Sequence, residues 1–388
     1  MSNNKKNNQG QSPEFYRREF PITEQSVYLD HAGVVPVSLR VKKEVERFLT
    51  EAAGKAIINY DSWMDRVEEV RSGCARLVGA DTEEIAFVKN TSHGISIVAG
   101  GLDWREGDNV LVFEREFPSN IYPWLALEKK GVQVKLIPFN KDRILLEDIE
   151  KLIDSRTKLI TMSSVQSVNG FMIDLCKLGA LCRHNGILFF VDAIQSLGVV
   201  PMDVEKYNVD FLAADGHKWL LAPEGTGIFY CRKELAGNLS PNLIGWKSVK
   251  EDNNFEKIDL TLKDSALRFE EGSFNVMGIF ALGASLDLLF EIGIDRIGEK
   301  VHELGDVIMD EALKRGFRLR TPRNRQERGG IVSFSGGFDP AELREKLWAS
   351  NIIVNYRGGA LRVAPHFYNT EEEILILFKS IDRLVPGL

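Results

Sequence analysis

The sequence contains little cysteine, little histidine and no long apolar run, and each shortage excludes a class of protein. Its 388 residues include four cysteines and six histidines. The cysteines form no CxxC pair and the histidines form no HxxxH pair or His/Cys cluster, so we expect neither a disulfide framework nor a metal site. No apolar run approaches the ~20 residues of a membrane span, so we also expect no membrane contact.

Positive charge is also scarce. The chain has 49 lysines and arginines against 56 aspartates and glutamates, which gives a net charge of −7. This balance argues against a broad nucleic-acid-binding surface. The scattered cysteines and the lack of a signal-peptide pattern predict reduced thiols and a cytoplasmic location.

The pattern of apolar runs predicts an α/β fold. Seven short runs rich in β-branched and aromatic residues lie at 84–88, 109–113, 132–137, 158–162, 187–191, 210–214 and 227–231. The runs are apolar throughout, as expected for strands that are covered by helices on both faces. Amphipathic stretches of helical length lie between several of them. We therefore predict a mainly parallel seven-stranded sheet between helices.

The composition and the pattern of apolar residues differ at the two ends of the chain. Residues 1–25 begin with the polar stretch MSNNKKNNQGQS and are predicted to be a flexible tail. Residues 26–275 are predicted to form a large domain. After residue 275, long helical patterns precede the strand candidates GGIVSFS and NIIVNYR. Residues 276–388 are therefore predicted to form a smaller α+β domain, on which the N-terminal segment would pack.

Polar residues follow five of the predicted strands. Because ligands bind at the carboxyl ends of strands in such sheets, these residues are expected to meet in one pocket. Lys218, in DGHKW, would by itself be an ordinary solvated charge at the end of a strand. Its apolar neighbours at 219–221 would instead dehydrate the amine, lower its pKa and suit it to bond with an aldehyde cofactor.

Asp192 follows ILFFV directly and would place a carboxylate in the same crevice. A carboxylate of this kind is what the ring nitrogen of pyridoxal phosphate requires. The alternative is a turn or a helix cap, which is the commoner use of an isolated aspartate. Gln195 lies three residues later and would reach the phenolic oxygen of such a ring.

Thr91 and Ser92 open a helical stretch after the first strand, where backbone N–H groups and the helix dipole suit a phosphate. The alternative is a simple N-cap. Phe117, after NVLVFERE, would cover the open face of a cofactor ring. A single aromatic residue of this kind is otherwise expected in the core.

The order and spacing of these segments resemble the class V aminotransferase family of fold-type I pyridoxal-phosphate enzymes. That family includes cysteine desulfurases, selenocysteine lyases, kynureninases and isopenicillin N epimerase-like proteins. The resemblance runs from VYLDHAG (27–33) to APHFYNTEEEI (364–374), and its specific parts are VDAIQSLG, DGHKW, RFEEGSFN and LRVAPHFYNTEEEI. It implies a fold of type I, in which a large domain carries the seven-stranded sheet and a smaller α+β domain follows.

The resemblance also implies roles for particular residues. Lys218 would bond to pyridoxal phosphate as a Schiff base and then move the proton of the substrate α-carbon. The remaining cofactor-binding residues would be Thr91, Ser92, Phe117, Asp192, Gln195, His217 and Ser273. Ser273 would reach the phosphate of a neighbouring subunit, which implies a homodimer. Arg362, in LRVAP, would bind the carboxylate of a small amino-acid substrate.

The chain departs from its relatives at several positions. Cysteine desulfurases carry a nucleophilic cysteine shortly before the carboxylate-binding arginine, whereas this chain reads NIIVNYRGGALRVAP there. A persulfide-forming desulfurase is therefore not expected. Asp215 replaces a hydroxyl residue that contacts phosphate in many relatives, and a carboxylate would repel that group. Gln166 and Ser167 lie near a position that helps to hold the ring, but their register is open.

The sequence therefore predicts a pyridoxal-phosphate-dependent enzyme that acts at the α-carbon of a small amino acid. Transamination is the first expectation because the family is broadly described in that way. The alternative is a carbon–sulfur β-lyase or an amino-acid epimerase. A non-catalytic cofactor-binding regulator and a decayed site are further alternatives. The short segment before VYLDHAG argues against the regulator, and the intact candidate residues argue against decay.

Overall fold

The protein is described by a computed structural model of residues 13–385. The strands are β1 Val27–Tyr28, β2 Ile85–Val88, β3 Asn109–Phe113, β4 Gln133–Ile137, β5 Thr157–Ser163, β6 Leu188–Asp192, β7 Phe211–Asp215, β8 Gly227–Cys231, β9 Arg318–Leu319, β10 Val332–Ser335, β11 Ile352–Ile353, β12 Asn355–Arg357 and β13 Ala360–Val363. The α-helices are α1 Pro13–Arg17, α2 Leu39–Gly54, α3 Tyr60–Val78, α4 Thr91–Gly101, α5 Tyr122–Leu125, α6 Leu146–Leu152, α7 Leu175–Asn185, α8 Lys233–Ala236, α9 Val276–Ile292, α10 Ile294–Lys314, α11 Pro340–Trp348 and α12 Glu371–Leu384.

The seven predicted strands form one sheet. Its order is β2-β8-β7-β6-β5-β3-β4. Strand β8 runs antiparallel to both of its neighbours, and the other pairs are parallel. The prediction of a mainly parallel seven-stranded sheet is confirmed. Each strand lies within a few residues of the apolar run that predicted it.

Both faces of this sheet are covered, as its continuous apolar strands require. Ile85 and Phe87 of β2 belong to a buried cluster with α3, α7 and α9. Ala86 between them belongs to a second cluster that includes α4 and Trp124. Successive side chains of a strand point to opposite faces, so alternate residues supply the two cores.

A separate apolar cluster belongs to the C-terminal part of the chain. It joins residues of α10, α11 and α12 with strands β10 and β13. The four strands of the smaller sheet lie in the order β12-β13-β10-β9. The two candidates GGIVSFS and NIIVNYR contain β10, β11 and β12, while β9 and β13 were not predicted. Strand β1 pairs in parallel with β11, and Leu29 joins the same cluster.

Helix α9 packs into the core of the large sheet, although the predicted boundary between the two domains places it in the smaller domain. Ile279 and Phe280 of α9 belong to the core of the large sheet, whereas much of α10 supports the smaller one. Gly293, with a φ of +95°, lies between the two helices, which are bent by 78°. We therefore propose a boundary near Gly293 in place of residue 275. Within the described residues no single helix is long and apolar enough to span a membrane, and only this bent pair reaches that length and hydropathy.

The N-terminal segment differs from the prediction of a flexible tail through residue 25. Residues 1–12 lie outside the described residues. Helix α1 is followed by a turn of 3₁₀ helix at Pro21–Glu24. Tyr16 and Phe20 are buried, and the ring of Phe20 stacks on that of Tyr368 with centroids 3.9 Å apart. Burial of these aromatic side chains accounts for the order of this segment.

Candidate active site

The carboxyl ends of β5, β6 and β7 line one cavity of about 290 Å³. Strands β2 and β3 contribute the residues that follow them. The lining residues are Asn90, Thr91, Ser92, Phe117, Ser119, Ser163, Ser167, Asp192, Ile194, Gln195, Asp215, His217, Lys218 and Glu224. Parallel strands bring their carboxyl ends to one edge, which is why residues more than 100 positions apart in sequence meet here. Seven of the predicted site residues lie together: Thr91, Ser92, Phe117, Asp192, Gln195, His217 and Lys218.

Lys218 lies on the wall of the cavity, in the turn that follows β7. The backbone N–H of Leu221 donates to the carbonyl oxygen of Lys218 at 2.8 Å, and Leu221 has a φ of +57°. This turn buries Trp219, Leu220 and Leu221 beside the lysine. Loss of solvent lowers the pKa of the Lys218 amine to about 8, although the nearby Asp192 carboxylate raises it. The neutral, nucleophilic amine is therefore available close to neutral pH.

Asp192 ends β6 and is only 2% exposed. The backbone N–H of Ile194 donates to its Oδ1 at 3.1 Å. Burial raises the pKa of this carboxyl to about 6, and the Ile194 N–H and the Lys218 charge oppose that rise. A buried carboxylate with this little support from protein donors is suited to a cationic N–H group from a ligand.

A second buried carboxylate, Glu116, was missed at the sequence level. Glu116 accepts hydrogen bonds from the backbone N–H of Ser163 at 2.6 Å, from Gln166 Nε2 at 3.2 Å and from the Ser163 hydroxyl. Burial raises its pKa to about 7, with a further contribution from Asp192. Gln166 thus supports Glu116 and does not line the cavity. The only signal for Glu116 was its place after a strand, in EREF.

The cavity has a polar end at the start of α4. Asn90 caps this helix through its Oδ1, which accepts from the backbone N–H of His93 at 2.9 Å. Ser92 Oγ donates to Ser119 Oγ at 2.8 Å, and Thr91 Oγ1 accepts from the backbone N–H of Asp215 at 3.0 Å. The cap is Asn90, so the hydroxyls of Thr91 and Ser92 are not used as N-caps.

His217 and Asp215 also border this polar end. His217 Nδ1 lies 2.9 Å from Asp215 Oδ2, and no hydrogen bond joins the two atoms. Both His217 Nδ1 and Asp215 Oδ1 are buried without a hydrogen-bond partner within residues 13–385. The backbone N–H groups at the start of α4 suit a ligand with a phosphate group, whereas the buried Asp215 carboxylate would repel it.

Arg362 lies behind the cavity and not in its lining. It is 3% exposed on β13 and donates to the carbonyl oxygen of Ser167 at 3.1 Å and to Asp30 Oδ1 at 3.2 Å. Asn355 Nδ2 donates to the other oxygen of Asp30 at 2.8 Å. The Arg362 guanidinium lowers the pKa of Lys218, so this arginine lies within electrostatic reach of the amine.

Arg357 is a second cation that the sequence did not single out. It ends β12 and lies with its guanidinium carbon 5.2 Å from the centroid of the Phe117 ring. Lys218 Nζ lies 5.6 Å from the same centroid. Within the described part of the chain, no hydrogen bond or ion pair engages the Arg357 guanidinium, and Asp30 is the one carboxylate that acts on its pKa. Burial and the charge of Arg362 lower its pKa.

Ser273 is not brought to the Lys218 cavity. It lines a separate cavity of about 190 Å³ with His93, Thr226 and Asn275. A single chain therefore does not unite it with the other candidate cofactor-binding residues.

None of the four cysteines lines the Lys218 cavity. Cys74, Cys182 and Cys231 are buried, and burial raises the pKa of each thiol; Cys176 is exposed near the start of α7. Strands β12 and β13 are joined by Gly358 and Gly359, whose φ angles of +59° and +76° make a tight two-residue turn. This hairpin leaves no long loop before Arg362.

The family model "Aminotransferase class-V" matches residues 27–377. A probable cysteine desulfurase of Methanothermobacter thermautotrophicus is 31% identical over 95% of this chain and 97% of that protein. The apo structure of a cysteine desulfurase from Thermococcus onnurineus NA1 has a TM-score of 0.88 at 28% identity and covers 98% of this chain and 99% of its own. The protein C-DES, with glycine covalently linked to its pyridoxal-phosphate cofactor, shares the fold. Its TM-score is 0.88 at 21% identity, over 94% of this chain and 99% of that chain.

Proposed function

The chain belongs to the class-V aminotransferase family, whose cofactor is pyridoxal phosphate, and from this premise we propose that it is a carbon–sulfur lyase for a small sulfur-containing amino acid. One observation carries the proposal. Relatives over nearly the whole chain are named as cysteine desulfurases, yet none of this chain's cysteines reaches the Lys218 cavity. Cleavage of the carbon–sulfur bond would then proceed by β-elimination, without a protein thiol to take the sulfur.

The residues of the cavity would hold pyridoxal phosphate in a consistent way. Lys218 would bond to its aldehyde, Asp192 would meet the ring nitrogen and Phe117 would cover one face. Four other residues would complete the contacts: Gln195 on the phenolic oxygen, and Thr91, Ser92 and His217 on the phosphate. When bound, this group supplies a conjugated ring that accepts the electron pair of the substrate α-carbon. The buried Asp192 would keep that ring protonated.

The chain's own side chains would carry out the remaining steps. Arg362 would hold the substrate carboxylate with the N–H groups left after its contacts to Ser167 and Asp30. Lys218 Nζ would accept the α-proton, a task suited to an amine with a pKa of about 8. Arg357 would stabilise the negative charge on the departing sulfur, because within the described residues no ion pair engages its guanidinium, which lies beside Phe117.

The overall reaction balances with water as the only co-reactant. A substrate with sulfur on its β-carbon would lose that sulfur as hydrogen sulfide from cysteine, as a thiol from a thioether or, from a disulfide such as cystine, as a persulfide. The remaining three-carbon unit would take up water to give pyruvate and ammonia. Epimerisation is less well supported, because Phe117 cannot act as an acid or base on the open face. Transamination releases no leaving group, so it would not require the positive charge of Arg357.

Product analysis tests this proposal directly. The loaded protein is incubated with L-cystine, L-cysteine or L-alanine, and pyruvate, ammonia and sulfane sulfur are measured with and without an added keto acid. The proposal predicts pyruvate and ammonia in equal amounts from a sulfur substrate and none from alanine. Keto-acid-dependent formation of pyruvate from alanine, without release of ammonia, would instead establish transamination. Lys218→Ala serves as the inactive control.

A homodimer and a cytoplasmic location complete the proposal. Ser273 lies away from the Lys218 cavity of its own chain, which supports a contribution to a second subunit. Large apolar side chains are exposed at Ile57, Ile58, Phe255 and Ile258, with exposed fractions from 74% to 96%. Burial of these side chains in a subunit interface would favour association. Light scattering of the eluting protein would give twice 43.7 kDa for the proposed dimer and 43.7 kDa for a monomer.

A further inference from the structure

Trp219 follows Lys218 directly, and its indole is fully buried behind the cavity wall. Its Nε1 donates a hydrogen bond to Gln195 Oε1 at 2.9 Å. The other end of that amide, Nε2, donates to the carbonyl oxygen of Ala32 at 3.2 Å. Gln195 lines the cavity and is 2% exposed. The lysine turn and the glutamine are thus joined by a buried hydrogen bond.

These two contacts allow only one orientation of the Gln195 amide. A flipped amide would direct its NH₂ group at the Trp219 N–H and its oxygen at the Ala32 carbonyl. A donor would then face a donor, and an acceptor would face an acceptor. In the observed orientation, Nε2 keeps one N–H that no protein group within residues 13–385 accepts.

The indole itself has little freedom to move. A Cβ added at Gly330 would lie 2.4 Å from a ring carbon of Trp219, and one at Gly198 would lie 2.2 Å from its carbonyl oxygen. His366 Nε2 is 3.2 Å from that same oxygen. Close contact on the ring and on the backbone holds the N–H donor in place.

We propose that Trp219 is a positioning residue: its indole N–H fixes Gln195 so that an N–H donor, and not the amide oxygen, meets the phenolic oxygen of the cofactor. This inference rests on the proposed function, because it places pyridoxal phosphate in the Lys218 cavity. A donor stabilises the negative charge on a phenolic oxygen, whereas an amide oxygen would repel it.

The test measures the visible absorption of the loaded protein against pH. Losing a donor to the phenolic oxygen favours the protonated chromophore, so Gln195→Leu should raise the pH midpoint of the band. Trp219→Phe keeps an aromatic ring but removes the pyrrole part of the indole with its N–H, and should raise the midpoint in the same direction by about 0.5 to 1 unit. The double variant should move no further than Gln195→Leu alone. The other ionisable groups near the cavity and around Trp219 are unchanged in all variants: His31, Glu116, Asp192, Asp215, His217, Lys218, Glu224, Arg357, Arg362 and His366.

Trp104→Phe is the matched control. Trp104 is also buried and donates through Nε1 to the carbonyl oxygen of Ala99 at 2.8 Å, but neither residue lines the cavity. Its loss should leave the midpoint unchanged. An unchanged midpoint in Trp219→Phe, or additive shifts in the double variant, would overturn the inference. If Lys218→Ala also keeps the band, the proposed function fails instead, so the two failures are distinguishable.

A second measurement does not depend on the folding of Trp219→Phe. In protein labelled with ¹⁵N-tryptophan, the indole N–H signal of Trp219 should exchange slowly with solvent and should shift in Gln195→Leu. A signal that is insensitive to Gln195→Leu would overturn the proposed contact.

Discussion

Replacing Asp192 with asparagine is expected to stabilise the apoprotein while weakening its hold on pyridoxal phosphate. The folded protein keeps this carboxyl at a pKa of about 6, against an ordinary value of 3.8, chiefly because it is buried. The backbone N–H of Ile194 donates to Oδ1, an atom that asparagine keeps. The substitution therefore removes the charge with little change in shape.

The size of the effect follows from the difference in pKa. Because the folded state holds the proton more tightly than the unfolded state, stability is lost as the pH rises from about 4 to 6, and the loss is complete above that range. A shift of about two units corresponds to about 3 kcal/mol at pH 8, and to about half of that at pH 5. The neutral asparagine does not incur this loss, so the advantage of the variant grows with pH.

Urea unfolding of the two apoproteins at pH 5 and pH 8 measures this difference. Asp103→Asn, at an exposed aspartate, controls for the loss of one negative charge. The reasoning is refuted if Asp192→Asn is the less stable protein at pH 8, or if its advantage is the same at both pH values. The same variant should bind pyridoxal phosphate more weakly than the parent, as measured by titration of the visible band.

Three further predictions concern other charged groups. The rate at which apoprotein forms the visible band with pyridoxal phosphate should rise with pH through about 8, because only the neutral Lys218 amine attacks the cofactor aldehyde. A rate that rises only near pH 10 would contradict the lowered pKa of Lys218. Arg357→Leu should slow cystine cleavage by about 10- to 100-fold, with partial recovery in Arg357→Lys. Exchange of the alanine α-proton, which involves no leaving group, should change little; an equal loss in both reactions would argue against a leaving-group role. Glu270→Gln should destabilise the protein by about 3 to 5 kcal/mol in urea unfolding. The reason is that Glu270 Oε1 and Arg71 Nη1 form a buried ion pair at 2.6 Å, and the substitution leaves the arginine charge buried without this partner. A loss below about 1 kcal/mol would show that the pair is dispensable.

The sheet and the residues at its carboxyl edge were predictable because their signals are local. A strand buried on both faces must be apolar along its length, and Asp192 and Lys218 lie within a few residues of the ends of such runs. Strand β9 has only two residues, and Arg362 interrupts the apolar residues of β13, so the pattern did not reveal them. Tyr16 and Phe20 were apolar signals within a segment that was assigned to a tail because of its polar beginning.

The properties that depend on distant parts of the chain could not be read from the sequence. Glu116 is ionisable and lies in a polar stretch, and only the folded chain shows that it is buried against Ser163. The tight β12–β13 hairpin positions Arg357, whose guanidinium contacts Phe117, 240 positions away in the sequence. Ser273 was assigned by resemblance alone, and a single chain leaves it in a different cavity.

Peptide mapping of the reduced, loaded protein tests the central claim most directly. Borohydride treatment of protein saturated with pyridoxal phosphate fixes the cofactor to the lysine that holds it, and mass spectrometry of the digest identifies that residue. The account predicts one pyridoxyl group per chain, on the peptide that contains Lys218. Modification of another lysine, or no stoichiometric modification, would contradict it.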